Sequence, residues 1–344
     1  MAISAKGNGL FFIPASDRDV ICFKYVDKPP SKGFVIVMTG SHSKMIGRLS
    51  AILFVFSLLY VPVPGYGAVT TSVSSGIALD TLEWTIGPSS SFPISELVFE
   101  TTSWQNSFNV QWVNHSNKWF LEGTAGFGYV FSGSVVDRDF SLPRKQGEFS
   151  RSESEINGHN SLLFLLDGGY RIWTTDRWVV SLITGFTWTQ VRYQFEDGDQ
   201  IIPPGGANLS NLNSEYRARW YGPTVGFRWT TDLKPLPLFL FLEGRYWPII
   251  EYRGKGNWNL RSDFDQNPSF THKDDNGYGG DVTATLRYPF TAHWTLEGGW
   301  TGRFLRTSDG TDRTFFSDGT DGTIPLLDVS QDTHWFRLGL RYLW

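Results

Sequence analysis

Two carboxylates one residue apart, Asp137 and Asp139, are the pair whose type and spacing best suit acid–base chemistry in this chain. In an extended backbone alternate side chains share one side, so both carboxylates point the same way and Arg138 points the other way. Carboxylates held close together raise each other's proton affinity, so one can keep a proton while the other acts as a base or holds a water. The same spacing also occurs in solvated polar loops, and the frame VVDRDF lies in a long segment predicted as a loop.

Two arginines fall on the apolar side of predicted strands. Arg192 shares its parity with Phe186 and Trp188, and Arg219 shares its parity with Tyr221. If these aromatic sides face lipid, a charge beside them near the rim needs an anionic partner, and a guanidinium group suits bidentate contact with phosphate. The alternative is an arginine that snorkels to the membrane interface without a specific ligand.

The elements that must carry these residues show alternation with a period of two. In the last eleven residues, 334–344, one side of an extended strand is apolar and the other is mixed. This pattern is typical of the closing strand of an outer-membrane β-barrel, in which lipid-facing and lumen-facing residues alternate. The alternative is a half-buried strand of a soluble β-sandwich.

Similar segments recur along the chain and predict ten antiparallel strands, an even number that suits a transmembrane barrel of the outer membrane. The predicted strands are residues 76–86, 94–113, 118–132, 151–172, 178–196, 214–230, 238–261, 271–290, 294–316 and the terminal strand. A charge facing lipid at mid-membrane costs about 2–4 kcal/mol, so charged residues should face inward. The charges predicted to face inward are Glu243, Asp281, Arg287, Glu297, Arg303, Arg337 and Arg341.

The composition agrees with a barrel and gives no sign of a metal site or of nucleic-acid binding. Aromatic residues make up 16% of the chain and glycine occurs 36 times, yet the mean hydropathy is slightly negative because half of each strand is polar. The histidines are scattered without the spacing of metal ligands, so no metal or other cofactor is predicted. The net charge is −4 and there is no basic block, so nucleic acid is not an expected partner.

The amino-terminal part of the chain does not look like a barrel. Residues 45–67 contain a basic residue, an apolar core, a Pro-containing break and small residues, and this order predicts a secretory signal peptide with residues 68–344 as the barrel. Residues 1–44 precede this signal and contain the single cysteine, Cys22. We expect translation to begin at Met45, with an extended leader as the alternative.

The strand pattern together with three motifs resembles the omptins, outer-membrane endoproteases of Gram-negative bacteria. The motifs are ISELVF after the first loop, VVDRDF in the second loop and YRARWYGPTVGF on the sixth strand, and the resemblance spans residues 76–344. It implies the outer membrane as location, Asp137 and Asp139 as half of a catalytic site, and lipopolysaccharide as an activating lipid. The residues that align with the lipopolysaccharide-binding positions are Arg192, Arg219 and Lys273, although Lys273 faces inward when counted back from Tyr278.

The other half of the omptin site, an Asp and a His on the seventh strand, has no counterpart. The matching stretch reads WPIIEYRGKGNWNLR, with Gly256 and Trp258 at the positions of the dyad. Without an imidazole there, the attacking water has no evident base. A shifted alignment would recruit Asp263, Asp265 or His272 instead.

Two functions therefore remain open. The first is a surface endopeptidase in which the Asp137 and Asp139 pair activates a water and basic residues of the substrate direct cleavage. The second is a proteolytically inactive barrel that binds host or surface polypeptides through its outer loops, as an adhesin or structural protein. A small channel is disfavoured, because Trp220, Phe241 and Trp247 are predicted to fill the lumen.

Overall fold

The computed structural model describes residues 10–16, 19–28, 31–39, 67–156, 158–206 and 208–344. The chain forms two compact units, Met1–Pro64 and Gly65–Trp344. The first unit contains a three-stranded antiparallel sheet of β1 (Leu10–Ser16), β2 (Asp19–Lys28) and β3 (Ser31–Thr39). The predicted signal peptide, apart from its last residue, lies outside the described residues.

The second unit is an antiparallel sheet of eleven strands that closes on itself, because the first of its strands, β4, pairs with the last, β14. Closure leaves no free strand edge, which a barrel in lipid requires. The strands are β4 (Ala68–Ile86), β5 (Ser95–Val113), β6 (Trp119–Leu142), β7 (Gln146–Ile156), β8 (Asn160–Thr174), β9 (Trp178–Ile202), β10 (Asn213–Asp232), β11 (Phe239–Asn257), β12 (Phe270–Pro289), β13 (Trp294–Phe315) and β14 (Asp321–Leu343).

The prediction of an antiparallel barrel is confirmed, with two corrections in its fourth strand and second loop. The predicted fourth strand is interrupted near Gly158 and His159, which both have positive φ, so it consists of β7 and β8. The segment predicted as a loop is strand on both sides of a short turn, because β6 runs on to Leu142 and pairs there with β7. The two carboxylates Asp137 and Asp139 therefore lie on a strand and not on a loop.

The short turns at one end of the barrel share a hydrogen-bonding pattern. In each of three turns a side-chain oxygen of the first residues accepts hydrogen bonds from backbone N–H groups further on. Asn114 accepts from the N–H groups of Lys118 and Trp119, Thr175 accepts from that of Trp178, and Thr291 accepts from that of Trp294. Such turns need few residues and reverse the chain tightly. The longer loops lie at the other end of the barrel, here called the outer end.

The outer surface of the half nearer the short turns is apolar. Its exposed large side chains include Phe127, Leu182, Phe227, Val282 and Leu338. These residues alternate with lumen-facing neighbours, as the sequence pattern predicted. No helix in the described parts of the chain is long and apolar enough to cross a membrane. We call the apolar outer surface nearer the short turns the apolar band.

Inside the apolar band the lumen holds a network of ion pairs that confirms the predicted inward charges. Arg228 donates to Glu122 at 2.8 Å and to Glu243 at 2.7 Å. Further pairs join strands across the lumen or along it, namely Arg245 with Asp167, Arg303 with Asp281 and Arg287 with Glu297. Because each of these carboxylates has a guanidinium partner, the charges stabilise each other away from water.

Above this network an aromatic plug fills the outer half of the lumen. Phe99 on β5 stacks on Tyr193 of β9 and on Tyr216 of β10, with ring centroids 4.8 Å and 5.4 Å apart. Trp84 on β4 reaches the same Tyr216 ring at 6.0 Å, and β4 and β10 lie on opposite sides of the barrel. The plug also includes Trp220 and Trp247, which are fully buried as predicted. Side chains that meet across the whole width close the lumen at this level.

Candidate functional site

The direction of the Asp137 and Asp139 side chains is set by a β-bulge in β6. Thr102 pairs with Ser132 and Ser103 pairs with Val130, so Phe131 is an extra residue on β6. An extra residue shifts the alternation by one position. Below the bulge even-numbered residues face the lumen, whereas above it odd-numbered residues do, which turns both carboxylates inward at the outer mouth.

The two carboxylates have different surroundings. Asp139 lies between its register partners Ser95 and Ser150, whose side chains hydrogen-bond to it. Asp137 lies between Leu97 and Ser152, and its Oδ1 is buried without a hydrogen-bond partner. Burial, reinforced by the charge of Asp139, raises the pKa of Asp137 to about 8. One carboxyl of the pair therefore keeps its proton at neutral pH.

The surroundings of Asp139 include groups that raise its pKa and groups that lower it. Burial raises the pKa of Asp139, while the hydrogen bonds of Ser95 and Ser150 and the positive charge of Arg261 oppose the increase. Arg261 belongs to the loop between β11 and β12, where it forms a bidentate ion pair with Asp263. The carboxylate pair and this loop thus form one charged mouth above the aromatic plug.

The wall of the mouth on β11 has no functional side chain where the omptin resemblance required one. Gly254 and Gly256 face inward and are buried. A Cβ on Gly256 would overlap the ring of Phe270, and a Cβ on Gly254 would come 2.9 Å from the Cβ of His272. The two glycines therefore allow side chains of the neighbouring strand β12 to lie flat over β11. Trp258 begins the following loop and packs on the plug against Phe195, with ring centroids 5.6 Å apart.

An imidazole is present beside this wall, but it belongs to the plug. His272 is the register partner of Gly254 and is 1% exposed. Its Nδ1 is hydrogen-bonded to the Tyr216 hydroxyl at 2.8 Å, its Nε2 lies 3.2 Å from Asp312 Oδ1, and the Trp84 ring packs on it at 4.7 Å. Sequence reasoning named His272 only as an alternative and missed Asp312, because their pairing depends on the register between β12 and β13. A ring enclosed in this way cannot reach a water held by Asp137.

A basic belt lies on one side of the outer surface, across β9 to β12, just above the apolar band. It contains the three predicted lipid-binding residues and three that sequence reasoning missed, and its members are Arg192, Arg217, Arg219, Arg253, Lys255 and Lys273. These residues are register neighbours on β9, β10, β11 and β12, since Arg217 pairs with Arg192 and Arg219 pairs with Arg253. The missed residues share the outward parity of the predicted ones, which is the signal that would have found them.

The belt has more positive than negative charges. Glu215 pairs with Arg192 and Arg217, while Glu251 and Asp275 pair with Arg253 at 2.8 Å and 2.6 Å. Six cations thus face three carboxylates, and the surplus of positive charge lies where the strands leave the apolar band. Arrays of this kind attract anionic groups at a membrane surface.

The expectation that Lys273 faces inward is wrong. The pairing of β11 with β12 is irregular between Trp247 and Tyr252, where Gly277 and Asp274 are the successive partners on β12. The irregularity shifts the alternation on β12, so Lys273 faces outward and its side chain is 61% exposed. It pairs there with Asp275 at 3.2 Å. All three predicted belt residues therefore share the outer surface.

The described residues limit the chemistry of the mouth. They contain no group of three or more His, Cys, Asp and Glu side chains placed to hold a metal ion. What the mouth contains is one protonated carboxyl, one carboxylate with hydroxyl donors, and a nearby guanidinium. Such a set can bind a cationic group or hold a water, and it has no accessible imidazole to act as a base.

Comparison with solved structures shows the fold. The chain is similar to the outer membrane protease OmpT from Escherichia coli, with a TM-score of 0.70 and 12% identity over 82% of this chain and 99% of that chain. It also matches the translocator domain of the autotransporter NalP from Neisseria meningitidis, with a TM-score of 0.36 and 12% identity over 88% and 95% of the two chains. At such identities the likeness to OmpT concerns the fold alone, so the resemblance to omptins holds for architecture.

Comparison of the sequence gives the family and the location. None of the curated proteins matches the chain. The family described as Pom, Protochlamydia outer membrane protein, matches residues 72–340, which includes all of β5 to β13 and most of β4 and β14. The chain is thus an outer-membrane protein of a Gram-negative bacterium, and it belongs to the Protochlamydia outer membrane protein family.

Proposed function

We propose that this protein is a closed outer-membrane barrel that binds polypeptides at the cell surface and does not cleave them. The observation that carries the proposal is the β11 wall, where Gly256 and Trp258 stand at the positions of the Asp–His dyad, the ring of Phe270 covers Gly256, and Trp258 packs on the plug. A hydrolytic site of the omptin type needs a base within hydrogen-bond reach of the water. His272, buried and engaged with Tyr216 and Asp312, does not meet that need.

The outer end offers surfaces that suit polypeptide partners. Leu142 and Phe149, near the turn between β6 and β7, are 51% and 56% exposed although they lie above the apolar band. Exposed apolar residues outside a lipid-facing surface favour protein contacts. Beside them the mouth holds Asp139, so a partner with a basic side chain next to an apolar one fits this end best.

The aromatic plug argues for binding over conduction. Phe99, Tyr193 and Tyr216 stack across the lumen, and all three side chains are buried. Small barrels whose interior is filled by side chains have no water channel. The outer loops and the mouth then remain as the functional surface.

We also propose that the basic belt binds the phosphate groups of lipopolysaccharide. Arg192, Arg219 and Arg253 lie on adjacent strands at the upper edge of the apolar band, where we expect the lipid headgroups. Guanidinium groups in such an array can contact one phosphate in a bidentate manner. The lipid would act as a structural partner of the barrel wall.

The test uses the refolded chain with and without lipopolysaccharide and a peptide library that contains paired basic residues. Mass spectrometry reads cleavage, and fluorescence anisotropy of labelled peptides reads binding. We expect saturable binding without cleavage, and weaker binding in Asp139→Asn. Cleavage by the unmodified barrel that disappears in Asp137→Ala would refute the proposal.

A second function, endopeptidase activity, is favoured by one observation. Asp137 is a half-buried carboxyl with an unpartnered Oδ1 beside a second carboxylate, and such pairs can share a proton around a water. In that case cleavage would be lost in Asp137→Asn as well as in Asp139→Asn. A match between the pH at which activity falls and the raised pKa of Asp137 would support this candidate.

A further inference from the structure

The end of the lumen near the short turns contains a cavity that the proposed function does not use. Its volume is about 190 Å³, and four arginines line it, one each from β8, β10, β12 and β14. They are Arg171, Arg228, Arg287 and Arg341. Guanidinium groups from four strands thus converge on one space at the end of the barrel opposite the mouth.

The carboxylates around this cavity do not balance its arginines. Arg228 is neutralised by Glu122 and Glu243. In contrast, Arg287 and Arg341 share a single carboxylate, Glu297, at 2.8 Å and 3.6 Å.

Arg171 is the second source of surplus charge. Its side chain donates to the amide oxygen of Asn117, and among the described residues no carboxylate forms an ion pair with it. One guanidinium nitrogen of Arg341 contacts neutral groups, because Nη2 donates hydrogen bonds to Thr70 and to Gln111, both at 3.0 Å. Four guanidinium groups therefore face three carboxylates; Arg171 has no carboxylate of its own, and Arg287 and Arg341 have one between them.

A positive charge inside a barrel is costly when no anion accompanies it, because the surrounding wall replaces much of the water that would solvate it. The planar guanidinium group offers pairs of N–H donors that match the spacing of oxygens on phosphate and sulfate. Ser181 and Thr230 add hydroxyl groups to the same lining. The chemistry of the lining thus fits a small oxyanion.

The size and the connections of the cavity agree with binding. One water needs about 10–15 Å³ of such volume, so a cavity of about 190 Å³ holds a tetrahedral anion together with several waters. The aromatic plug closes the lumen above it, which makes the cavity a pocket with access from the side of the short turns. An anion that enters would be retained there and not conducted.

We propose that this pocket binds a small inorganic tetrahedral oxyanion, phosphate or sulfate, which enters from the periplasmic side. Arg171, Arg287 and Arg341 contact the anion, and Arg228, already held by two glutamates, forms the opposite wall. The anion supplies the counter-charge that the lumen lacks, so it also stabilises the end of the barrel at which β8, β12 and β14 meet the short turns.

The test is calorimetric titration of the folded full chain with sodium phosphate and sodium sulfate in a chloride buffer of constant ionic strength. We expect one saturable site for each anion and an increase in the thermal unfolding midpoint as either anion is added. Arg171→Gln and Arg341→Gln should each weaken binding at least about tenfold, the loss expected when one charged hydrogen-bond partner is removed. The matched control is Arg313→Gln, an exposed arginine paired with Asp321 near the outer rim, which should bind like the unmodified protein.

Folding of each variant is checked by its mobility shift on heating before electrophoresis. If Arg171→Gln does not fold, Arg171→Lys keeps the charge and should retain folding with weaker binding, because it lacks the paired donors. The proposal is overturned if phosphate and sulfate give no more heat than added chloride. Equal affinity in Arg171→Gln and Arg313→Gln would overturn it as well.

Discussion

His272 and Gly254 are register partners on neighbouring strands, and the absence of a side chain on Gly254 allows the imidazole to lie over β11. The imidazole is thereby enclosed between the Trp84 ring and the Tyr216 hydroxyl. This histidine lies one strand away from the position at which a water-activating histidine would be expected, and it is part of the plug. The relation explains how the same region can contain an imidazole and still lack an accessible base.

Gly254→Ala should destabilise the barrel. The added methyl group would overlap the Tyr216 hydroxyl and lie 2.9 Å from the His272 Cβ. Such overpacking costs about 1–3 kcal/mol, and urea unfolding followed by tryptophan fluorescence measures it. The control is Gly123→Ala on β6, where a Cβ would meet no atom within 4 Å. Equal unfolding midpoints for the two variants would show that the Gly254 contacts do not matter.

Asp137→Asn should change how stability depends on pH. Folding raises the pKa of Asp137 to about 8, whereas an unfolded carboxyl titrates near pH ~4. Below about pH 4 both states are protonated; between about pH 4 and pH 8 the unfolded chain releases this proton and the folded chain keeps it, so the free energy of unfolding falls as pH rises.

The variant lacks this proton and should gain stability relative to the unmodified protein as pH rises to about 8. One proton that only the folded state keeps changes the free energy of unfolding by at most about 1.4 kcal/mol per pH unit, which sets the upper limit for the divergence of the two proteins between pH ~4 and pH ~8. The control is Asp176→Asn in an exposed turn, which should follow the unmodified protein. Parallel pH profiles for Asp137→Asn and the unmodified protein would contradict the assigned pKa.

The double change Phe99→Ala and Tyr216→Ala should open the plug. Both rings are buried and stack on each other at 5.4 Å, so their removal leaves a gap across the lumen. In planar bilayers the unmodified barrel should give no steady conductance steps, whereas the variant should give them. Each truncation also costs about 3–5 kcal/mol of stability, so folding is verified first. Phe127→Ala on the apolar band is the control, and conductance by that control would count against the plug.

Arg219→Gln combined with Arg253→Gln should weaken the association with lipopolysaccharide. These register partners supply adjacent charges in the basic belt, and exposed charge pairs with lipid phosphate weaken as salt screens them. Co-sedimentation with lipopolysaccharide at low and high salt measures the effect, and we expect the difference between variant and unmodified protein to shrink at high salt. Arg144→Gln in the outer turn is the control. Unchanged binding by the double variant at low salt would remove the belt from the interaction.

Alternation along the chain was enough to predict the barrel and the side of most residues. Trp220 and Trp247 face the lumen, Arg228 pairs with Glu243 inside it, and Arg192 faces outward, all as a period of two requires. The physical reason is that lipid excludes charge and backbone geometry alternates side chains. Both effects act on each strand by itself, so the sequence of that strand contains them.

The tertiary structure decided which side a residue faces after a bulge, and which side chains of other strands it contacts. Alternation predicted that Asp137 and Asp139 share a side, but the bulge at Phe131 determined that the side is the lumen. An irregular stretch between β11 and β12 likewise placed Lys273 outside. Bulges have no strong sequence signal, because they are settled by the pairing of two strands and not by the propensities of one. The enclosure of His272 by side chains from β4 and β10 follows from closure of the ring, which brings residues far apart in the chain into contact.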